Sequence, residues 1–515
     1  MNLSLFFRKH LLNCVFLLLS AIIMIAFLFL SRYALPTTDD FADMMFGFQK
    51  LNATGNVYRS VYQTSRDIYF GQQGTFFSCF SLFFLLIKTG TNLIRYQMII
   101  AALMLFFFAS IGYLVYTIAK HYQLTHIWGI FLFTALWVAM DYVPCGDSML
   151  YIVGACVYTL PLSFGFLSIA FYLKTMYAQQ HTALLFWTIL SSGCAFLCSG
   201  GVLMAAGMIN IVMVLMFLSR WITTRRFPLR GLIPFLFAFG SALINTLAPG
   251  NFARYMNAYG TRPSIRHGIL QTFVITSQQF LQLFKHTYLL IALIIIAVTL
   301  LCMRQEISKE HFQLHPMLVL LAGYVACYVV MFPSVLGYSL AISQRVEDRI
   351  KFTFAWVAML AIVFGWSYLM CWIRIHILPR LKVENIPISL GIITLFVALV
   401  LNPIYIRITR VDTHPTLTTI YKEYHSGALE QYYAAYHLML LGAEAAETSS
   451  HYVVTYEIPM SALFMNHPIS ADNTWWVNTS MAAVYQLSAF TYGPDHPFTE
   501  EDALEAGYTI EQLLP

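Results

Sequence analysis

Charge is scarce in this sequence. Asp, Glu, Lys and Arg together make up 10% of its 515 residues, while 59% of the residues are hydrophobic. Soluble proteins carry charge on about a quarter of their residues. This shortage excludes an ordinary soluble domain and predicts a polytopic membrane protein, whose chain crosses the bilayer many times.

Motifs for cofactors and metals are also missing. The sequence contains no P-loop, no G-x-G-x-x-G and no H-E-x-x-H, so nothing supports a nucleotide-binding fold or a zinc hydrolase. Its nine cysteines lie mostly in apolar stretches without C-x-x-C spacing, which favours small core residues over a metal site or a disulfide framework. No basic stripe with interleaved aromatic residues indicates nucleic acid. We therefore expect that no cofactor is required, while a divalent metal stays possible.

What the chain has instead is a series of apolar stretches, which predicts an all-α membrane domain over residues 1–402. The stretches are residues 11–33, 75–87, 97–119, 127–140, 148–173, 183–199, 200–219, 231–248, 286–303, 316–340, 352–373 and 386–402. The stretch at 75–87 is short for a span, and Ser199-Gly200-Gly201 interrupts the block 183–219. Either can be re-entrant, which gives about 11 transmembrane helices.

Charge bias predicts which loops face the cytoplasm. The segment 220–230 holds four arginines and no acid, which indicates a cytoplasmic loop. Counting from this loop places 249–285 and 341–351 outside. Counting from the basic N-terminus disagrees by one crossing unless one stretch is re-entrant, and that count places the first loop, about 34–74, outside.

The end of the chain differs in composition from the rest. From Asn402 onward the sequence has three basic and thirteen acidic residues. A helical pattern at 427–447 and a strand-like pattern at 451–456 predict that residues 403–515 form a small α/β domain in water, on the outer face.

The first outside loop carries the leading catalytic candidates, Asp39 and Asp40. Glycosyl transfer needs a carboxylate that takes the proton of the attacking hydroxyl, and a neighbouring carboxylate can raise the proton affinity of that base. Asp43 lies one turn further on. The alternative is a helix N-cap, because residues 41–51 have the apolar spacing of an amphipathic helix at the membrane surface.

Arginines on the same face are candidates for binding phosphate. Arg254 follows the turn Ala248-Pro-Gly-Asn251, and Arg262 and Arg266 come soon after it. If the topology were inverted, these would be ordinary positive-inside residues. Arg345 and Arg349 are four residues apart and share a helical face.

The second arginine pair has a structural alternative, since Glu347 and Asp348 can form ion pairs with it. Candidates for binding sugar or acceptor are Asp147, in a predicted outside turn, and Trp475, Trp476 and Asn478 in the C-terminal domain. Loop solvation explains Asp147 equally well, and such tryptophans often belong to a domain core or anchor at an interface.

Together these features resemble the GT-C glycosyltransferases, and in layout the serotype-converting O-antigen glucosyltransferases of enteric bacteria and their phages. The matching signature is Thr38-Asp39-Asp40-Phe41 in the first outside loop after one helix. The resemblance implies a bacterial inner-membrane enzyme with a periplasmic active site. It implies inverting transfer of a sugar, glucose by family analogy, from a polyprenyl-phosphate donor to a polysaccharide or lipid-linked acceptor. Asp39 or Asp40 would be the base, with Asp39 favoured, and Arg254 or Arg345 would bind the phosphate.

Other functions stay open at this point. An oligosaccharide ligase or polymerase also uses outside-loop arginines and would tolerate loss of the acidic pair. A transporter of lipid-linked saccharide predicts internal repeats and polar residues lining a membrane cavity, which the apolar stretches do not show clearly. An acyltransferase predicts a histidine embedded in the membrane, and none stands out.

Overall fold

The computed structural model describes most of the chain. The described residues are 3–142, 146–260, 264–285, 287–302, 307–338, 346–380, 393–394, 396–397, 400–401, 416–464 and 469–515. The helices of the membrane part are α1 (Leu3–Leu30), α2 (Thr38–Thr54), α3 (Val57–Gly71), α4 (Phe76–Thr89), α5 (Leu93–His121), α6 (Trp128–Tyr142), α7 (Gly146–Met149), α8 (Ile152–Gly154), α9 (Leu160–Tyr177), α10 (His181–Ser199), α11 (Leu203–Thr224), α12 (Leu232–Thr246), α13 (Pro249–Tyr259), α14 (Ile265–Lys285), α15 (Thr287–Cys302), α16 (Pro316–Tyr338) and α17 (Asp348–His376).

The chain is a polytopic, mainly helical membrane protein, as its composition predicts. Eight helices in the described residues are long and apolar enough to cross a bilayer, or nine if α14 and α15, bent by 74° at their junction, form one broken span. The block 183–219 consists of two such helices, α10 and α11, so its interruption is a turn between spans. The predicted stretch 386–402 lies largely outside the described residues.

One predicted loop is largely helical. Residues 249–285 were expected to form an outside loop, but most of this segment is helical, in α13 and α14. The sequence of α14 does not show a clear apolar face, because polar Thr272, Thr276 and Gln279 are among its buried residues. The helix packs against α16, where the Tyr328 hydroxyl donates to the carbonyl of Ile269 at 3.0 Å.

Helix α5 connects two opposite faces of the membrane part. At its start, Tyr96 contacts Asp40, and at its end, the ring of His121 lies 4.2 Å from that of Tyr177. The helical rise between Tyr96 and His121 is about 37 Å, more than the apolar thickness of a bilayer. We call the Asp40 side the acidic face and the Tyr177 side the basic face, because the arginines of residues 220–230 lie beside Tyr177.

Helices α2, α3 and α4 form a layer at the acidic face. Val61 of α3 is buried against Cys79, Phe83 and Ile87 of α4, and Phe48 of α2 packs on the same cluster. The apolar helix α4 therefore covers α2 and α3 along its length. It is only 14 residues long, in keeping with the expectation that the stretch at 75–87 is short for a span.

The last hundred residues combine helices with a two-stranded sheet. The elements are α18 (Thr416–His425), α19 (Ala428–Ala445), β1 (His451–Glu457), α20 (Trp476–Tyr485), β2 (Ala489–Pro497), α21 (Glu500–Glu505) and α22 (Ile510–Leu513). Strands β1 and β2 pair in parallel, and the connection between them contains α20. The predicted helix at 427–447 and strand at 451–456 are confirmed as α19 and β1. The predicted domain boundary near 402 falls outside the described residues.

This C-terminal part packs on the acidic face. Helix α20 lies against α2, and the Tyr436 hydroxyl of α19 donates to the carbonyl of Pro36 at 2.9 Å. A guanidinium nitrogen of Arg32 donates to the carbonyl of Pro515 at 2.7 Å. The segment containing the acidic pair therefore lies between the membrane helices and the C-terminal part, with Asp39 still partly exposed.

Candidate active site

The two adjacent aspartates have different environments. Asp40 is fully buried, and three donors surround its carboxylate. The N–H of Thr37 donates to Oδ2 at 3.0 Å, the Tyr96 hydroxyl donates to Oδ2 at 2.6 Å, and the N–H of Val153 donates to Oδ1 at 3.0 Å. Asp40 thus occupies the third position of α2 and pairs with the backbone before the helix, as in a capping box.

Burial raises the pKa of Asp40 to about 7, even though its three hydrogen bonds lower it, and the charge of Asp39 adds to the increase. Every donor around Asp40 comes from the protein. The arrangement therefore ties α2 to α5 and to the start of α8, which is a structural task and leaves no clear approach for a substrate hydroxyl.

Asp39 is half-buried and turned toward other charges. Within the part of the chain that the structure describes, its carboxylate accepts no hydrogen bond. Burial raises the pKa of Asp39, the Arg349 guanidinium lowers it in part, and Glu347 raises it. This carboxylate has the properties of a base: it is accessible, its proton affinity is increased, and a cation lies nearby.

A second carboxylate, Asp147 of α7, faces the same charges. Burial raises its pKa, Asp348 and Glu347 raise it further, and Arg349 lowers it. The charge of Asp39 also raises the pKa of Asp147. The structure therefore brings together residues from α2, α7 and the start of α17.

Glycines permit the close packing of this region. A Cβ on Gly154 would lie 2.4 Å from the carbonyl oxygen of Asp147 and 2.6 Å from the ring of Tyr151. A Cβ on Gly146 would lie 2.5 Å from the carbonyl oxygen of Leu463, in the C-terminal part. A π-helical turn, Ala155–Thr159, follows α8, and such turns are frequent at functional sites.

Arg349 is the cation of the cluster. Its Nε donates to Glu347 at 2.5 Å, while Lys351 pairs with Asp348 at 2.7 Å. The predicted ion pair between Arg349 and Glu347 is thus present, whereas Asp348 pairs with Lys351. The charge of Arg349 also acts on Asp39, Asp147 and the buried Tyr151. The other predicted arginine of this pair, Arg345, lies outside the described residues.

Arg254 occupies a different position. It is exposed on α13, and its guanidinium donates to the side-chain oxygen of Gln73 at 3.3 Å. The turn before it serves packing: Asn251 accepts from the N–H of Gly74 at 2.9 Å, and a Cβ on Gly250 would lie 2.6 Å from the backbone nitrogen of Gln73. Arg262 lies outside the described residues, and Arg266 is exposed at the start of α14.

The predicted sugar-binding residues of the C-terminal part also differ from one another. Trp475 and Trp476 are 40% and 45% exposed, with ring centroids 6.4 Å apart, so an aromatic surface is available. Asn478 is fully buried. Its amide accepts from the N–H of Ser470 at 3.1 Å and donates to the carbonyl of Asp472 at 3.1 Å, so the backbone occupies it and we assign it no role in binding.

One residue of the site was not recognised in the sequence, and a second was noted only as the aromatic residue to which the turn at 141–147 leads. Tyr96 holds Asp40, but in the sequence it is one aromatic residue at the edge of an apolar stretch. The charges of Asp39, Asp147 and Arg349 act on Tyr151, and in the sequence only its place after a predicted turn distinguishes it. Asp43, considered only as a charge partner, has a pKa raised to about 8 by burial and by the charges of Asp39 and Asp40.

Comparison with known proteins adds nothing to this geometry. Neither protein-family models nor curated protein sequences give a match to the chain. Among the described residues, no group of three or more His, Cys, Asp or Glu side chains is arranged to hold a metal ion.

Proposed function

We propose that the protein is a GT-C type glycosyltransferase that transfers a sugar from a polyprenyl-phosphate donor to a cell-surface polysaccharide or lipid-linked acceptor. The observation that carries the proposal is the contrast within the acidic pair. Asp40 is held by three protein donors, whereas Asp39 is accessible, has a raised pKa and lies beside Arg349. One carboxylate positions the other for proton transfer.

In this reaction the acceptor hydroxyl attacks the anomeric carbon of the donor sugar. A new carbon–oxygen bond forms while the bond to the phosphate oxygen breaks, and the phosphate leaves with the electron pair. Asp39 takes the proton of the acceptor hydroxyl. Attack opposite the leaving phosphate inverts the anomeric centre.

The departing phosphate needs a cation, and Arg349 is the described arginine whose charge acts on Asp39 and Asp147. Arg345, four residues earlier in the sequence and outside the described residues, joins it in this proposal as the second candidate. Such fixed charges stabilise a leaving group without nucleotide chemistry. We no longer prefer Arg254 as the residue that binds the phosphate, because its guanidinium contacts Gln73.

Asp147 lies in the same charged region and is assigned to the sugar hydroxyls, whereas Tyr151 is buried behind it and is assigned a supporting role. The exposed Trp475 and Trp476 offer a stacking surface for a longer acceptor on the C-terminal part. By the positive-inside rule, the arginines of residues 220–230 indicate that the basic face lies in the cytoplasm. The acidic face would then lie in the periplasm, on the outer side of a bacterial inner membrane. From the resemblance to serotype-converting O-antigen glucosyltransferases, we propose glucose as the donor sugar and O-antigen as the acceptor.

The test is transfer of labelled glucose from a synthetic polyprenyl-phosphate donor by purified protein. Asp39→Asn should lose at least about a hundredfold in rate, equivalent to about 2.7 kcal/mol of barrier, while its thermal stability stays near that of the wild type. Arg254→Gln is the matched control and should retain most of the activity.

Two results would overturn the assignment. Full activity of folded Asp39→Asn would remove the base. Loss of polysaccharide ligation in cells carrying Arg349→Gln, without loss in Asp39→Asn, would favour the ligase or polymerase alternative.

A further inference from the structure

The basic face contains a cavity that the proposed reaction does not use. It has a volume of about 660 Å³ and lies between the end of α9 and the segment that joins α11 to α12. Three arginines line it together with aromatic and apolar side chains. The ones that matter here are Arg220, Arg226, Arg230, Tyr177, Phe227 and Leu229.

The cavity lies far from the acidic pair. Tyr177 contacts His121 at the end of α5, whereas Asp40 contacts Tyr96 near its start, about 37 Å away along the helix. The two regions are therefore on opposite sides of the bilayer. A ligand of this cavity cannot be the group that reacts at Asp39.

The local structure fixes the arginines around the cavity. The guanidinium carbon of Arg220 lies 4.4 Å from the centroid of the Tyr177 ring, a cation–π contact. Arg230 donates to the carbonyl of Ala178 at 2.6 Å. The Thr224 hydroxyl donates to the carbonyl of Arg220 at 2.8 Å and accepts the backbone N–H of Arg226 at 3.4 Å, at the turn that follows α11.

The described residues that line the cavity include no acid to balance this charge. None of the residues lining the cavity is Asp or Glu, and the described part of the chain shows no ion pair for Arg220, Arg226 or Arg230. The positive-inside rule explains arginines in such a loop. It does not explain why three of them converge on a cavity of ligand size.

The surroundings of the cavity are apolar and exposed. Trp221, Ile222, Phe227 and Leu229 are between 45% and 67% exposed, and they flank the arginines at the ends of helices that cross the membrane. A small water-soluble anion would make no use of these side chains. A lipid would, because its acyl chains run along the helices while its phosphate meets the arginines.

We infer that this cavity binds the phosphate headgroup of an anionic glycerophospholipid from the leaflet at the basic face. The inference does not depend on the glycosyltransferase proposal. Arg226 is the best residue to test, since its side chain makes no hydrogen bond within the described residues and its loss removes little from the fold. Arg225 is the matched control: it is adjacent, carries the same charge and lies outside the lining of the cavity.

The experiment measures thermal unfolding of the full-length protein in zwitterionic detergent, with short-chain phosphatidylglycerol added in increasing amounts. Phosphatidylcholine of the same chain length and inorganic phosphate are titrated in parallel. We expect saturable stabilisation by phosphatidylglycerol alone. Arg226→Gln should weaken the apparent affinity about tenfold, whereas Arg225→Gln should leave it within about twofold.

Each other result contradicts the inference. Equal weakening by Arg225→Gln would show diffuse attraction to the charged loop. Equal stabilisation by inorganic phosphate would identify a site for free anions, and equal stabilisation by phosphatidylcholine would show that charge is not recognised. Arg226→Lys keeps the charge and should bind within a few-fold of wild type, which guards against a folding defect in Arg226→Gln.

Discussion

The Tyr96 hydroxyl donates a 2.6 Å hydrogen bond to Oδ2 of Asp40, and its oxygen accepts the backbone N–H of Ile152 at 3.1 Å. One phenol thus joins α2, α5 and the start of α8 inside the protein. This contact separates the roles of the acidic pair. Asp40 belongs to the framework, and Asp39 is the carboxylate that faces the charged cluster.

Removing the phenol should therefore affect stability. Tyr96→Phe removes the partner of one buried donor, the N–H of Ile152, and one of the two donors to Oδ2 of Asp40, and we expect about 1–3 kcal/mol of destabilisation. Asp39→Asn, which breaks no hydrogen bond within the described residues, should change stability by no more than about 0.5 kcal/mol. Thermal unfolding in detergent compares the two variants. Equal stability losses would contradict the division of roles within the pair.

The junction between α3 and α12 depends on a glycine. A Cβ on Gly74 would lie 2.0 Å from the carbonyl oxygen of Asn245. Because this neighbour is a backbone atom, it cannot move away as a flexible side chain could. Gly74→Ala should therefore destabilise the protein by about 1–3 kcal/mol or more.

The control for this change is Gly71→Ala, because a Cβ at Gly71 has no neighbouring atom within 4 Å. Both variants are compared by the yield of monodisperse protein and by the unfolding temperature. If Gly74→Ala behaves like Gly71→Ala, the close approach of the two backbones does not exist.

The sequence was sufficient for the membrane architecture because hydropathy depends on local composition. Helix α2, its acidic start and the turn at Gly55 were all readable from residues adjacent in the chain. The difference between Asp39 and Asp40 was not, since it depends on Tyr96, 56 residues away, and on Val153, 113 residues away.

Two other features were hidden for related reasons. Helix α14 was not distinguished from a loop because its buried face mixes polar with apolar side chains, and one of the polar ones, Gln279, accepts from the Tyr142 hydroxyl of α6 at 3.2 Å. Arg349 was one of several equivalent arginines in the sequence. Only the packing of α17 beside α7 distinguishes it from Arg254.

The two faces of the protein should react differently with a membrane-impermeant maleimide. Asn473→Cys lies in the exposed C-terminal part on the acidic face, and Arg225→Cys lies in the exposed loop of the basic face. Right-side-out vesicles should label the first and spare the second, and inverted vesicles should do the opposite. The wild-type protein is treated in parallel as the control, because it shows how much of the labelling comes from native cysteines. Labelling of both positions from the same side would overturn the assignment of faces.

The pH dependence of transfer tests whether Asp39 is the base. A base must be deprotonated to act, so the rate falls as the pH drops through its pKa. The Arg349 guanidinium lowers the pKa of Asp39, and Glu347 raises it. Arg349→Gln should therefore move the acidic limb of the rate profile to higher pH, and Glu347→Gln should move it to lower pH.

The opposite directions make this pair of variants informative. A general loss of activity lowers the whole profile without displacing its limb, and Arg349→Gln should also lose about a hundredfold in kcat if it binds the leaving phosphate. Arg254→Gln serves as the control, because the charge of Arg254 does not contribute to the pKa of Asp39. Initial rates from pH 4 to pH 9, at saturating donor, define the acidic limb of the rate profile for each of the three variants. If the acidic limbs of Arg349→Gln and Glu347→Gln move in the same direction, the titrating group is not Asp39. Asp43, whose pKa is raised to about 8, would then be the next residue to test.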